Sequence, residues 1–229
     1  MTLAYTLRAF AHPASTLARR PPLKPQRIFR LLPEMQDTEA VAVILGIYDA
    51  LGDRLYGEAV SEREHAVQCA HAARLERAAD SLVVAALLHD IGHLLHAAGE
   101  GVADQGIDMR HEALGERFLA RRMPLRVTRP IGLHVAAKRY LASAETGYVD
   151  SLSPASAKSL ALQGGPLTPS EMAAFEQEPY AEDAIRLRRW DEMGKQIDWK
   201  TPPMEAYAEL IAAECGLERT ARRSGVDQI

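Results

Sequence analysis

The run SLVVAALLHDIGHLLH, Ser81–His96, sets an imidazole and a carboxylate side by side in a segment that is otherwise apolar. Leu82, Val83, Ala85, Ala86, Leu87 and Leu88 leave no polar face over the first turns, so the segment is predicted to be a helix through the domain centre. His89 and Asp90 then lie deep. A buried carboxylate needs a partner that offsets its desolvation, and a metal cation is the strongest one available.

The rest of the chain follows the same period. Ala40, Val41, Val43, Ile44, Ile47, Tyr48 and Leu51 repeat at helical spacing up to Gly52, and a second helix is predicted from Glu62 to Leu75 with Ser61 as its N-cap. Beyond the central segment come a Gly-rich loop (Gly99, Gly101, Gly106) and helices predicted over His111–Arg122 and Arg129–Tyr140. Short helices over Ser153–Gln163 and Pro169–Phe175 flank the turn Gly164-Gly165-Pro166, and Glu182–Met193 and Pro203–Cys215 complete the set. No stretch alternates Val, Ile and Thr at strand length, so the expected fold class is all-α.

Residues 1–34 carry Arg8, Arg19, Arg20, Lys24, Arg27 and Arg30 against the single acid Glu34, and five prolines break any long helix there. They are expected to form a poorly ordered extension to a helical domain over 35–216, with a flexible tail at 217–229. The basic, acid-poor composition is that of a transit peptide, but the prolines argue against one. An amphipathic pattern begins directly after Met35, which suggests that the functional part starts there.

With 229 residues, a net charge of −4 and a pI near 6.1, the chain gives no reason to expect nucleic acid as a partner. No run approaches the ~18 apolar residues of a membrane span. Cys69 and Cys215 form no C-x-x-C pair or disulfide framework, and a reducing cytoplasm is the expected location.

Chemistry-bearing residues recur on the predicted helices: His65 on the second, His89 and Asp90 on the central one, His111 and His134 on the next two, and Asp191 on a late one. Singly, each has an ordinary reading: a surface histidine, a helix-opening residue or a solvated acid. Together they form a mixed nitrogen and oxygen set without thiolate, which suits iron, manganese or zinc and excludes an all-oxygen calcium cage. Six ligands exceed what one open metal requires; with Asp90 as a bridge they divide into two.

The order His65, His89-Asp90, Asp191 resembles the signature of the HD-domain superfamily, and His111 with His134 resembles its two-metal subset. The segments LLHDIGH, RHEALGERFLA, HVAAKRYL, LALQGGP and LRRWDEMGK are similar to those of the mixed-valent di-iron oxygenases of phosphonate degradation, from about Tyr56 to Pro203. The resemblance implies an HD-domain helical bundle with two iron ions (Fe2+/Fe3+) and O2 as co-substrate. It implies that one iron is held by His65, His89, Asp90 and Asp191, and the other by Asp90, His111 and His134. Asp90 is the implied catalytic bridge.

The resemblance further assigns the substrate phosphonate to His93, Lys138, Ser156, Ser159 and Arg188, and the substrate's amino end to Glu58. Lys138 is four residues after His134 and Arg188 three before Asp191, so donors for an anion fall one helical turn from the implied ligands. The family's iron-capping tyrosine aligns with Leu55, and Tyr56 stands one position later.

The implied activity is cleavage of the carbon–phosphorus bond of a small organophosphonate, a 1-hydroxyphosphonate, to inorganic phosphate and a carboxylic acid. The leading candidate is 2-amino-1-hydroxyethylphosphonate, which gives glycine. The competing reading is an HD-superfamily metal-dependent phosphohydrolase of a nucleotide or phosphate ester, using His65, His89, Asp90 and Asp191 and a metal-activated water. A non-enzymatic helical module is a third, which an intact set of buried ligands disfavours.

Overall fold

The computed structural model describes residue 32, residues 35–55, 58–95 and 110–216, and the backbone of residues 217–224. Every regular element among them is helical, as the period of the sequence requires. In chain order they are α1 (Asp37–Leu51), α2 (Glu62–Leu75), α3 (Asp80–Leu88), α4 (Ile91–Leu95), α5 (His111–Leu119) and α6 (Leu125–Ala144). There follow α7 (Tyr148–Ser151), α8 (Pro154–Leu162), α9 (Pro169–Glu176), α10 (Ala181–Met193), a 3-10 turn (Met204–Tyr207) and α11 (Ala208–Ser224).

Local chemistry fixes where these helices start. Ser61 opens α2 with a reciprocal cap: its hydroxyl accepts from the Glu64 amide at 3.3 Å, and its amide donates to Glu64 Oε2 at 2.8 Å. Ser153 and Thr168 cap α8 and α9, each followed by a proline whose missing N–H costs nothing at that position.

The all-round apolar α3 is the axis of the bundle. Its residues from Leu82 to Leu88 are at most 2% exposed, and α2, α6, α10 and α11 pack around it. Each Leu or Val so enclosed contributes about 1.5–3 kcal/mol of transfer free energy. A smaller cluster of Leu133, Ala137, Leu167, Phe175, Ala181 and Ala184 joins the outer faces of α6, α9 and α10.

Several expected boundaries move. The central helix is two: α3 ends at Leu88 and α4 resumes at Ile91, with the His93 amide donating to the Asp90 carbonyl at 2.9 Å in a tightened turn. His89 and Asp90 occupy the break, which lets adjacent side chains turn toward one centre. α6 begins at Leu125 and runs through Pro130, giving up the hydrogen bond that the proline nitrogen cannot donate. The last helix passes Gly216 and continues to Ser224, and α7 was not expected.

At the N-terminal side, the buried Arg122 donates to the Met35 carbonyl at 2.8 Å and pairs with Asp37, tying the start of α1 to the bundle. Leu32 is fully buried against the same core. The remainder of 1–34, Tyr56 and the Gly-rich stretch lie outside the described residues. No helix among the described residues is long and apolar enough to cross a membrane.

Candidate metal centre and anion pocket

Three imidazoles are oriented from behind by backbone carbonyls. His65 Nδ1 is 2.8 Å from the Gly194 carbonyl, His89 Nδ1 is 2.9 Å from that of Ala86, and His134 Nδ1 is 2.7 Å from that of Ile131. A carbonyl only accepts, so each Nδ1 carries the proton and each Nε2 is directed inward. His65 Nε2 lies 3.3 Å from His89 Nε2, and His111 Nε2 lies 3.1 Å from His134 Nε2.

Asp90 stands between the two pairs. Its Oδ2 is 3.4 Å from His65 Nε2 and 3.2 Å from His89 Nε2. Its Oδ1 is 3.4 Å from His111 Nε2 and 3.6 Å from His134 Nε2. Asp191 closes the first half, with Oδ1 3.5 Å from His65 and Oδ2 3.7 Å from His89.

Two glycines permit this convergence. A Cβ on Gly92 would overlap the His111 carbonyl oxygen, so only glycine lets α4 meet the start of α5 closely enough to bring His111 to Asp90. A Cβ on Gly194 would overlap Cys69 Sγ and lie 3.2 Å from His65 Nδ1, so the carbonyl that orients His65 also depends on a bare backbone. Arg110, in the left-handed region at φ 47°, turns the chain so that His111 is the first helical residue.

The centre is short of positive charge. Burial opposes ionisation of Asp90, yet His89 and the imidazoles of His111 and His65 hold its carboxyl well below the usual range. Burial likewise opposes a charged His89, but Asp90 draws it up to about 9, so the centre captures a proton if nothing else supplies charge. His134 is pushed down by burial and then by His111 and His89, and stays neutral. A divalent cation answers both demands, accepting inward nitrogen lone pairs and neutralising buried carboxylates. Cys69 Sγ lies 3.7 Å from His65 Nδ1, but burial pushes its thiol up, away from the thiolate a metal would use.

Beside the centre is a cationic pocket. Lys138 Nζ donates to Ser159 Oγ at 2.7 Å, and no carboxylate pairs with it among the described residues. Burial, then Arg188, push this lysine down to about 7. Arg188 pairs with Asp191 and Glu192, and donates to Tyr148 Oη at 3.1 Å and Ser156 Oγ at 3.2 Å. His93, on α4 beyond the break, stacks on His111 with ring centroids 3.9 Å apart. Glu58 joins through Ser153 Oγ at 2.7 Å.

The structure therefore brings together His65, His89, Asp90, His111, His134 and Asp191, and beside them His93, Lys138, Ser156, Ser159, Arg188 and Glu58; Tyr56 lies outside the described residues. Sequence reasoning passed over Tyr148, Glu192 and Lys195. Lys195 carried a legible signal, since it stands four residues after Asp191 as Lys138 stands four after His134. Tyr148 carried none, because only folding brings α7 against α10.

Fold and site define a helical protein that can hold metal with imidazole and carboxylate beside a largely buried cluster of lysine, arginine and serine side chains. Over 170 residues, 74% of this chain and 85% of the relative, it is 42% identical to the hydroxymethylphosphonate dioxygenase of Gimesia maris. It is 40% identical over 172 residues, 75% of this chain and 88% of the relative, to the glycine-betaine-forming [1-hydroxy-2-(trimethylamino)ethyl]phosphonate dioxygenase of Leisingera caerulea. No family model matches the chain. The chain belongs to the phosphonate dioxygenase family, and it is an oxygenase whose family chemistry implies a metal and dioxygen.

Proposed function

We propose that this protein is a di-iron oxygenase of the HD-domain superfamily that splits the carbon–phosphorus bond of a small 1-hydroxyphosphonate. One dioxygen is consumed for each inorganic phosphate and carboxylic acid formed. The observation that carries this reading is Asp90, whose two oxygens each face a different pair of imidazole nitrogens.

In this reading His65, His89, Asp90 and Asp191 would hold one iron, and Asp90, His111 and His134 would hold the other. The donor set fits: imidazole and carboxylate without thiolate suit iron, and the carbonyl-bound Nδ1 atoms direct three Nε2 lone pairs inward. Bound iron supplies the redox chemistry that activates dioxygen.

The chain's own residues bind and orient the substrate. Lys138, which pairs with no carboxylate among the described residues, offers its ammonium to a phosphonate oxygen, and Ser159 holds that ammonium in place. Arg188 is anchored by Asp191 and Glu192 and faces the pocket through Ser156. His93, stacked on His111, adds a ring N–H donor. This grip fixes C1 and its hydroxyl toward the metal centre, which converts a collision into an oriented contact. Glu58 suits the ammonium of 2-amino-1-hydroxyethylphosphonate, the substrate whose cleavage gives glycine.

The test is phosphate release by iron-loaded protein in air and under anaerobiosis. The expected outcome is phosphate only with oxygen, matched by oxygen uptake and by glycine from 2-amino-1-hydroxyethylphosphonate. Phosphate released from esters without oxygen would sink the proposal.

A further inference from the structure

Lys195 stands where Ser156, Glu58, Asp191 and Glu192 meet. Its Nζ is 2.7 Å from Ser156 Oγ, 3.0 Å from Glu58 Oε1, 3.7 Å from Asp191 Oδ1 and 3.9 Å from Glu192 Oε2, with only 13% of its side chain exposed. Arg188 Nη2 approaches the same Ser156 oxygen at 3.2 Å. Two cationic donors use both lone pairs of that hydroxyl, so its hydrogen is left for an acceptor in the pocket, as a phosphonate oxygen would be.

At its other contact, Lys195 neutralises Glu58. Glu58 Oε1 accepts from Lys195 and from Ser153 Oγ, so the carboxylate already has a cationic partner before any substrate tail arrives. An ammonium tail must compete with Lys195 for that carboxylate. A substrate without a tail has no such competition and leaves the pair intact.

Resting on the reading above, we propose that Lys195 is a specificity-determining residue, which sets how strongly the site prefers a phosphonate with a cationic tail over one without. With Lys195 in place, Glu58 discriminates weakly and both classes enter. Without it, Glu58 keeps only the Ser153 hydroxyl of these two partners and is a largely buried carboxylate with no cation beside it, which favours a cationic tail.

The test measures binding of two phosphonates that lack the reactive hydroxyl, methylphosphonate and 2-aminoethylphosphonate, to iron-loaded protein under anaerobiosis by titration calorimetry. Lys195→Met is expected to raise the preference for 2-aminoethylphosphonate by about tenfold, the size of one charge-assisted contact. Lys195→Arg keeps the charge and is expected to keep the wild-type ratio. In a Glu58→Gln background Lys195→Met is expected to leave the ratio unmoved.

A ratio unaffected by Lys195→Met, or shifted equally with and without Glu58, would overturn the assignment and reduce Lys195 to a support for Ser156. Turnover of hydroxymethylphosphonate and 2-amino-1-hydroxyethylphosphonate by the same proteins separates the two claims. A shifted binding ratio without oxygen-dependent phosphate would overturn the reaction and keep the role of Lys195. Oxygen-dependent phosphate with an unmoved ratio would do the reverse.

Discussion

His65 Nε2 and His89 Nε2 face each other at 3.3 Å across the top of Asp90, each ring held from behind by a carbonyl on its Nδ1. Such an arrangement is repulsive until positive charge enters it. Iron at a hundred times its dissociation constant is therefore expected to stabilise the fold by about 2.7 kcal/mol, roughly 5–10 °C in Tm for a domain of this size. Asp90→Ala removes the carboxylate shared by both halves and is expected to abolish that shift together with activity. Thermal scans with and without iron, beside metal analysis of the purified proteins, check this; an Asp90→Ala protein retaining two irons per chain would refute the bridge.

Gly92 tests how the second half of the centre is assembled. Its missing Cβ is what allows α4 to lie against the His111 backbone. Gly92→Ala is expected to push the start of α5 away at a cost of about 1–3 kcal/mol. Because His65 comes from α2, His89 from the C-terminal edge of α3 and Asp191 from α10, the first half of the centre should survive. Metal analysis is then expected to fall from two irons to one, with activity lost; an unchanged two-iron content would show that the contact tolerates a methyl group.

Much of this was legible before folding. The all-round apolar Leu82–Leu88 run announced a central helix, and Ser61 announced the start of α2, because both signals are local. The pairing of His65 with Gly194, or of Lys195 with Glu58, joins residues more than a hundred positions apart, and no period encodes such distances. The break at His89 and Asp90 was hidden for a different reason: hydrophobic pattern continues across it, while the backbone turns to satisfy polar side chains that pattern does not weigh.

Arg122 carries structure rather than chemistry. It is 2% exposed, donates to the Met35 carbonyl and pairs with Asp37, whose side chain is 35% exposed. Removing one partner of a buried ion pair costs about 3–5 kcal/mol, and water reaching Asp37 puts Arg122→Ala at the low end. A fall in Tm of roughly 6–12 °C is expected, with iron content per folded chain unchanged. Loss of iron at temperatures where the variant is still folded would instead couple the start of α1 to the centre.

Lys138 gives the site a pH dependence whose sign follows from its surroundings. Burial and Arg188 push it down to about 7, from an ordinary value near 10.5. Between those values the unfolded chain binds the proton and the folded chain does not, so this group makes stability rise with pH across that window; below 7 both states are charged and the penalty is fully present. An anion in the pocket reverses the preference, since a phosphonate oxygen beside Nζ favours the ammonium. Anion binding above pH 7 is therefore expected to take up protons, and affinity to weaken as pH rises. Lys138→Arg remains charged throughout. Calorimetric titration of methylphosphonate at pH 8, in buffers of different ionisation enthalpy, should show less proton uptake for Lys138→Arg than for the wild type. Protonation of the ligand itself contributes equally to both proteins, so equal uptake would mean that Lys138 already carries its charge in the empty pocket.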